Sequence, residues 1–409
     1  MDALTGALLS IDPMAGHAAM KTLQTTCAFE SRKECVAWTG SLLSFAGCGY
    51  QFQLLRRLLA ATCDDDSEAS CSDSGDDGDD EAADPRGRWL RAAIVASADQ
   101  LEALCSTAST CAIATPGVLF EYLAFLRAAI PLLGASMFEM AASFITLLSL
   151  PQLPQYLYVE CIGFLDDVAV TVDDDDHDAS AAAFLERSVT FLASAFPTLV
   201  ERILNSTPVV GVTFFVGDAT TPALQRLLLF GLRVLHRGLR MPPSITLQSA
   251  LHTLAKSATR PERLRYLPAL RAKLVEIVAD EDDVLISAAR LALDLCEAHG
   301  SSPIAEAFHP VLVFDLVCAT IHDDHSVLVD WLTSNETDAL AYFVAFLRFI
   351  DASPPTAWPT TVRVTTISVV LNATYTDLDK YQRHNIIPFN VAPLLRRLRR
   401  VLTLLQSTE

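Results

Sequence analysis

Glycine is scarce in this chain, 16 residues of 409, which suits many packed helices better than a large sheet with its turns. The ten cysteines include no C-x-x-C pair. Cys27, Cys35, Cys48, Cys63, Cys71, Cys105, Cys111, Cys161, Cys296 and Cys318 are scattered, as buried reduced thiols are and a disulfide frame is not. No G-x-S-x-G elbow, H-E-x-x-H helix, dinucleotide fingerprint or glycine-rich loop closing on Lys and Ser or Thr occurs. Each absence removes a recognisable class of catalyst and its cofactor. What survives of the enzyme hypothesis is a helical enzyme with a convergent site, recognised by geometry alone. No basic stripe answers a phosphate backbone, so nucleic acid is not an expected partner.

Long uncharged runs are also few. The two longest are Cys35–Leu55, diluted by Gly40, Gly47, Gly49, Gln51 and Gln53, and Met140–Val159, broken by Pro151, Gln152, Pro154 and Gln155. Both read as buried helices meeting at turns, and no membrane partner is expected. The opening MDALTGALLSIDPMAG has no cationic residue ahead of its apolar ones, so cytoplasm or nucleus is the expected compartment. The N-x-[ST] matches at Asn205, Asn335 and Asn372 then carry no meaning.

What the chain does have is apolar mass, 51% of its residues, and a net charge of −19 that is unevenly placed. Asp64–Asp84 holds 11 acidic residues and Asp166–Asp178 holds 7, neither with a Lys or Arg. The rest of the chain is close to neutral. Residues 64–84 can bury almost nothing and repel themselves, so a disordered acidic insert is expected there, with a shorter acidic loop at 173–178. An EF-hand reading of the insert fails at two ligand positions, where Gly75 and Asp84 stand. Ser70 and Ser74 each precede an Asp by three residues, a spacing suited to an acid-directed kinase, although a solvated insert without a role is the plainer reading.

Elsewhere apolar residues recur at spacings of three and four, and period-two alternation appears only in Val209–Val216 and Thr361–Val369. Leu264, Leu267, Leu270 and Leu274 mark one amphipathic helix, kinked or restarted at Pro268. Pro131, Pro151, Pro197, Pro222, Pro243, Pro261, Pro303, Pro354, Pro359 and Pro388 fall near the joints between apolar blocks, and about sixteen to eighteen helices fit that spacing. In ADEDDVLISAARLALDLCEAHG, acidic residues open a helix whose face is Leu285, Ala288, Ala289, Ala292, Leu293 and Cys296. Small residues among leucines let a second helix approach closely. The block resembles the second helix of a HEAT repeat, except that Ile286 stands where that family usually has Arg.

Three further places invite functional readings. His322, Asp323, Asp324 and His325 could tempt a metal assignment, but the acidic pair more plainly starts the helix running to Trp331. LLRRLRRVLTLLQ sets Leu394, Leu398, Val401 and Leu405 on one face, with Arg396, Arg397, Arg399 and Arg400 around it. Those arginines are interaction candidates, or the wet side of a last docked helix. In DWLTSNETDALAYFVAFLRFI, Ser334 or Asn335 can cap a new helix, with Glu336 and Asp338 in its first turn. Leu340, Phe343, Leu347 and Ile350 make one stripe of that helix, and Ala339, Tyr342, Phe346 and Phe349 a second beside it. So wide a face meets neighbours on two sides.

The helix ending in Trp-Leu, the S-N-E-T turn and the aromatic-Leu-Arg helix together resemble the C-terminal region of the Lines family, over residues 323–350. The resemblance implies a Lines-like C-terminal region at 323–409 and a non-enzymatic, armadillo-like protein acting through protein contacts. No ligand-binding residues carry over with it. The expected fold is all-α, an α-solenoid of HEAT or armadillo type: a superhelix of antiparallel helix pairs in a single helical-repeat domain over 1–409. The expected function is a protein-protein interaction scaffold without cofactor or metal, in signalling or transcriptional regulation. A nuclear-transport or trafficking adaptor binding basic cargo is the competing reading.

Overall fold

The structure is a computed structural model. It describes residues 13–26, 31–43, 49–68, 85–107, 115–149, 153–172, 179–205, 220–240, 281–299, 308–334, 338–353, 358–387 and 389–406, with 5, 7, 8, 249 and 279 singly. Among the described residues the regular elements are sixteen α-helices and one short 3-10 segment, with no strand. The sequence reads as one array over 1–409. The packing divides it into two compact units, Met1–Ser188 and Val189–Glu409.

The first unit contains α1 (Pro13–Thr26), α2 (Arg32–Leu43), α3 (Tyr50–Glu68), α4 (Pro85–Ala96), α5 (Ala98–Ser106), α6 (Pro116–Leu133), α7 (Ser136–Ile145) and α8 (Gln155–Thr171). The start of α9 (Ala179–Asn205) also belongs to it, the unit boundary falling inside that helix. Helix α3 packs on α1 and α6, and α6 on α8; α2 packs on α4, and α5 on α7. Phe52, Tyr122, Phe125, Phe144 and Phe164 run as a chain of rings through α3, α6, α7 and α8, with centroids 4.9–6.2 Å apart at each contact. Polar groups fasten the same helices. Gln53 donates to Glu121 at 2.6 Å, and Arg127 of α6 pairs with both Glu160 (3.0 Å) and Asp167 (2.6 Å) of α8. One helix among the described residues, α6, is long and apolar enough to cross a membrane, and half of it is buried here.

The two uncharged runs resolve into separate helices, α2 and α3 for the first, α7 and α8 for the second. Prolines behave less uniformly than their spacing implies. Pro85, Pro116 and Pro310 each take a first helical position, where the missing N–H costs nothing. Pro131, read as a joint, lies inside the last turn of α6, which instead ends at Gly134, whose φ of 50° suits a residue without Cβ. Helix α9 likewise continues through Pro197, forgoing one backbone bond. The acidic insert starts later than the charge run does, because α3 carries the backbone helically to Glu68.

The second unit holds the rest of α9, then α10 (Thr220–Arg240), α11 (Asp282–His299), α12 (Pro310–Thr320), α13 (His325–Thr333), α14 (Ala339–Ala352), α15 (Val364–Arg383) and α16 (Ala392–Gln406). Helix α11 packs on α10, α12 and α14; α13 on α14 and α15; α16 on α14 and α15. One hydrophobic cluster runs through α11 to α16. At its centre the Phe314 ring lies 4.2 Å from Phe346 and 6.2 Å from Phe343. The alternation in 361–369 is overridden, for the chain is helical from Val364 on. Ile367, Val370, Leu371, Thr374 and Leu378 supply a three-and-four spacing that buries one face. The alternating segment 209–216 and the leucines at 264–274 lie outside the described residues.

Candidate functional site

The stretch from α11 to α14 owes its shape to its caps. Asp282 and Asp283 occupy the first turn of α11, where the helix dipole favours anions. All six residues read as its face, Leu285, Ala288, Ala289, Ala292, Leu293 and Cys296, are buried, and so is Ile286. Asp282 accepts from Trp331 Nε1 at 2.8 Å, tying α11 to α13. The ring of His309 caps α12, its Nδ1 accepting from the Val311 N–H at 3.3 Å. Burial lowers the pKa of His309, which keeps that nitrogen unprotonated and able to accept.

Between α12 and α13 two non-glycine residues, His322 (φ 56°) and Asp323 (φ 57°), take left-handed conformations. The turn is closed by Asp323 N–H on the Cys318 carbonyl at 2.7 Å and His322 N–H on that of Ala319 at 3.1 Å. Arg363 braces it from the far side of the sequence. Its Nε donates to Asp315 Oδ1 at 2.9 Å, its Nη2 to the Asp315 carbonyl at 2.9 Å, and its Nη1 to Asp323 Oδ2 at 3.2 Å. Burial opposes the guanidinium charge, and the bonds to Asp323 and Asp315 outweigh it, so the pKa is raised. The metal-like quartet is dispersed by these contacts. Asp323 answers Arg363, Asp324 caps α13 through Ser326 N–H at 2.9 Å, and His325 meets Asp377 at 3.0 Å. Among the described residues no group of three or more His, Cys, Asp or Glu could hold a metal ion.

Helix α14 buries Ala339, Tyr342, Phe343, Phe346, Leu347 and Ile350, with Leu340 and Phe349 packed against the same cluster. Ser334, read with Asn335 as an alternative cap of α14, stands at the C-cap of α13, and Asn335 lies outside the described residues. The Ser334 N–H donates to the Asp330 carbonyl at 2.9 Å, and Asp338 stands at the N-cap of α14 without a side-chain cap bond. The hydroxyl of Tyr342 is buried and has no partner among the described residues, and burial pushes its pKa upward.

Helix α16 buries Leu394, Leu395, Leu398, Val401, Leu402 and Leu405. Arg396, Arg399 and Arg400 are exposed and Arg397 half-buried. Arg399 lies 5.3 Å over the Tyr375 ring and donates to its hydroxyl, and Arg400 pairs with Asp351 of α14 at 3.2 Å. Ser70, Ser74 and the loop 173–178 lie outside the described residues. The described thiols, Cys35, Cys105, Cys161, Cys296 and Cys318, are free and buried. Burial raises their pKa, to about 12 for Cys105 and Cys318, which argues against nucleophilic duty.

These helices are where the chain meets a known family. Residues 246–358 match the family model of the Lines N-terminus. The Lines likeness seen at 323–350 lies inside that span. The matching model describes the N-terminal part of the family, however, and its match stops before α15. Lines is not a known enzyme family, and the described part of the match contains the helices α11 to α14. No curated protein and no solved structure matches the chain. Sequence reasoning missed the Asp315–Arg363 brace, which ties the matched span to the residue just ahead of α15. Its signal was a lone carboxylate in PVLVFDLVCAT and a lone cation in TTVRVTT, solitary charges in apolar company.

Proposed function

We propose that the helices of each unit stack as in a HEAT or armadillo α-solenoid and that the chain is a protein-protein interaction scaffold of Lines-like type. The observation behind this reading is contact between helices that are not consecutive. In the first unit α1 touches α3, α3 touches α6 and α6 touches α8, while α2 touches α4 and α5 touches α7. In the second, α11 touches α14 and α14 touches α16, with α12 and α13 both against α15. Two rows of helices, each row packed along its length, is how stacked helix pairs bury a continuous core. A closed bundle would instead wrap its helices around one axis.

Such an array offers long side surfaces and supplies no reacting group, and the Lines match agrees with a non-enzymatic role. The inferred partner is a protein, met in cytoplasm or nucleus, rather than nucleic acid or membrane. Affinity capture with cross-linking, on the full chain beside a version lacking residues 64–84, tests the proposal. Partners retained by both, with cross-links on the described helices, are expected. Loss of every partner with the acidic segment would overturn the reading, and capture of basic cargo through that segment would favour a transport adaptor.

A further inference from the structure

We infer that the wet face of α16, extended by Arg348 of α14, docks an acidic peptide segment of a partner protein. This rests on the scaffold reading and gives it a surface. Arg348, Arg396, Arg399 and Arg400 are exposed, with Arg397 half-buried beside them. Helices α14 and α16 pack together. Arg348 precedes Asp351 by three residues and so shares its side of α14, the side that Arg400 reaches through its 3.2 Å bond to Asp351. Among the described residues, Arg348, Arg396 and Arg397 have no ion-pair partner. Five arginines therefore stand on two packed helices, and among the described residues Asp351 is the carboxylate that pairs with one of them.

The arrangement favours carboxylates in particular. Arg399 is held over the Tyr375 ring at 5.3 Å with one nitrogen on the Tyr375 hydroxyl, which orients the N–H groups left over toward an incoming acid. Asp351 already pairs with Arg400 and displays the chemistry an acidic side chain of a partner would repeat. An anionic membrane fits less well, because such helices anchor by apolar residues, and Leu394, Leu395, Leu398, Val401, Leu402 and Leu405 are all turned into the core.

Fluorescence anisotropy of a labelled oligoglutamate peptide on the full chain tests this. Saturable binding is expected, weakening with salt and falling by about tenfold or more in Arg396→Glu and in Arg348→Glu. Both residues lack an ion-pair partner among the described residues, so the two variants should keep the parent melting temperature, and Arg396→Lys should retain part of the affinity. Tighter binding to phosphatidylserine vesicles or to single-stranded DNA, self-association abolished by the same variants, or oligoglutamate binding indifferent to both substitutions would each overturn the proposal. The scaffold reading fails separately. A captured partner that binds parent and variants equally removes this surface and leaves the scaffold, whereas a chain that captures no partner at all removes both.

Discussion

Helices α14 and α16 lie against each other and have nearly the same length, 14 and 15 residues, yet the core treats them differently. Each buries six residues, but α14 also packs Leu340, Val344, Ala345 and Phe349 half-buried against the same cluster and meets α11, α13 and α16, whereas α16 meets α14 and α15. The width of the apolar face thus records how many neighbours a helix has. Aromatic residues at successive steps, Tyr342 with Phe343, can only be accommodated where protein lies on both sides. Arginines at Arg396, Arg397, Arg399 and Arg400 leave a single seam of leucines between them.

The most severe way to break this comparison is to put a charge in the middle of α14. Phe343 is fully buried against Phe314. Phe343→Asp forfeits its packing and strands a carboxylate among rings, so a loss of at least about 4 kcal/mol is expected. Thermal melting followed by far-UV circular dichroism should show the C-terminal unit destabilised, and an unchanged profile would mean that α14 is not interior. Leu398→Ala is the matching cut in α16. Leu398 is also fully buried, and the expected cost is about 2–5 kcal/mol, read by urea denaturation. A cost near zero would show the single seam of α16 to be undocked.

A substitution of opposite sign sharpens the contrast. Tyr342 places a hydroxyl in the apolar interior with no partner among the described residues. Replacing it in Tyr342→Phe keeps the ring that lies 6.0 Å from Phe346 and removes the unmet polar atom. A gain of about 1 kcal/mol is expected. Destabilisation instead would mean that the hydroxyl is satisfied by water, which the same measurement at matched pH would register as a cost of similar size.

These residues also show why the sequence could be read so far and no further. Spacing identified α14, α16 and the face of α11 because a stripe of Leu, Ala and Phe at three and four is a local property. Caps proved less legible. Ser334 and Asn335 had the right chemistry for starting α14, but Asp338 stands at its N-cap, and nothing in residue type alone marks which polar residue will take that place. The left-handed pair His322 and Asp323 was hidden for a different reason. Non-glycine residues enter that region at a cost, and the brace that holds Asp323 there comes from Arg363, 40 positions away. Pairings across such separations leave no periodic trace, so the helix start at Asp324 was legible in HDDH but the partners of Asp323 and His325 were not.

The smallest expected effect tests the wet side of the comparison. Arg396 is exposed and has no ion-pair partner among the described residues, so Arg396→Ala removes a solvated charge and leaves the leucine seam untouched. Its intrinsic helix cost is negligible because Arg and Ala are both strong helix formers. A change within about 0.5 kcal/mol is expected by urea denaturation, in contrast with the loss at Leu398 two positions on. Were Arg396→Ala to cost as much as Leu398→Ala, its stem would be covering core surface. The arginine face would then be part of the fold instead of a surface left open for an acidic partner, and α14 and α16 would differ in residue type without differing in role.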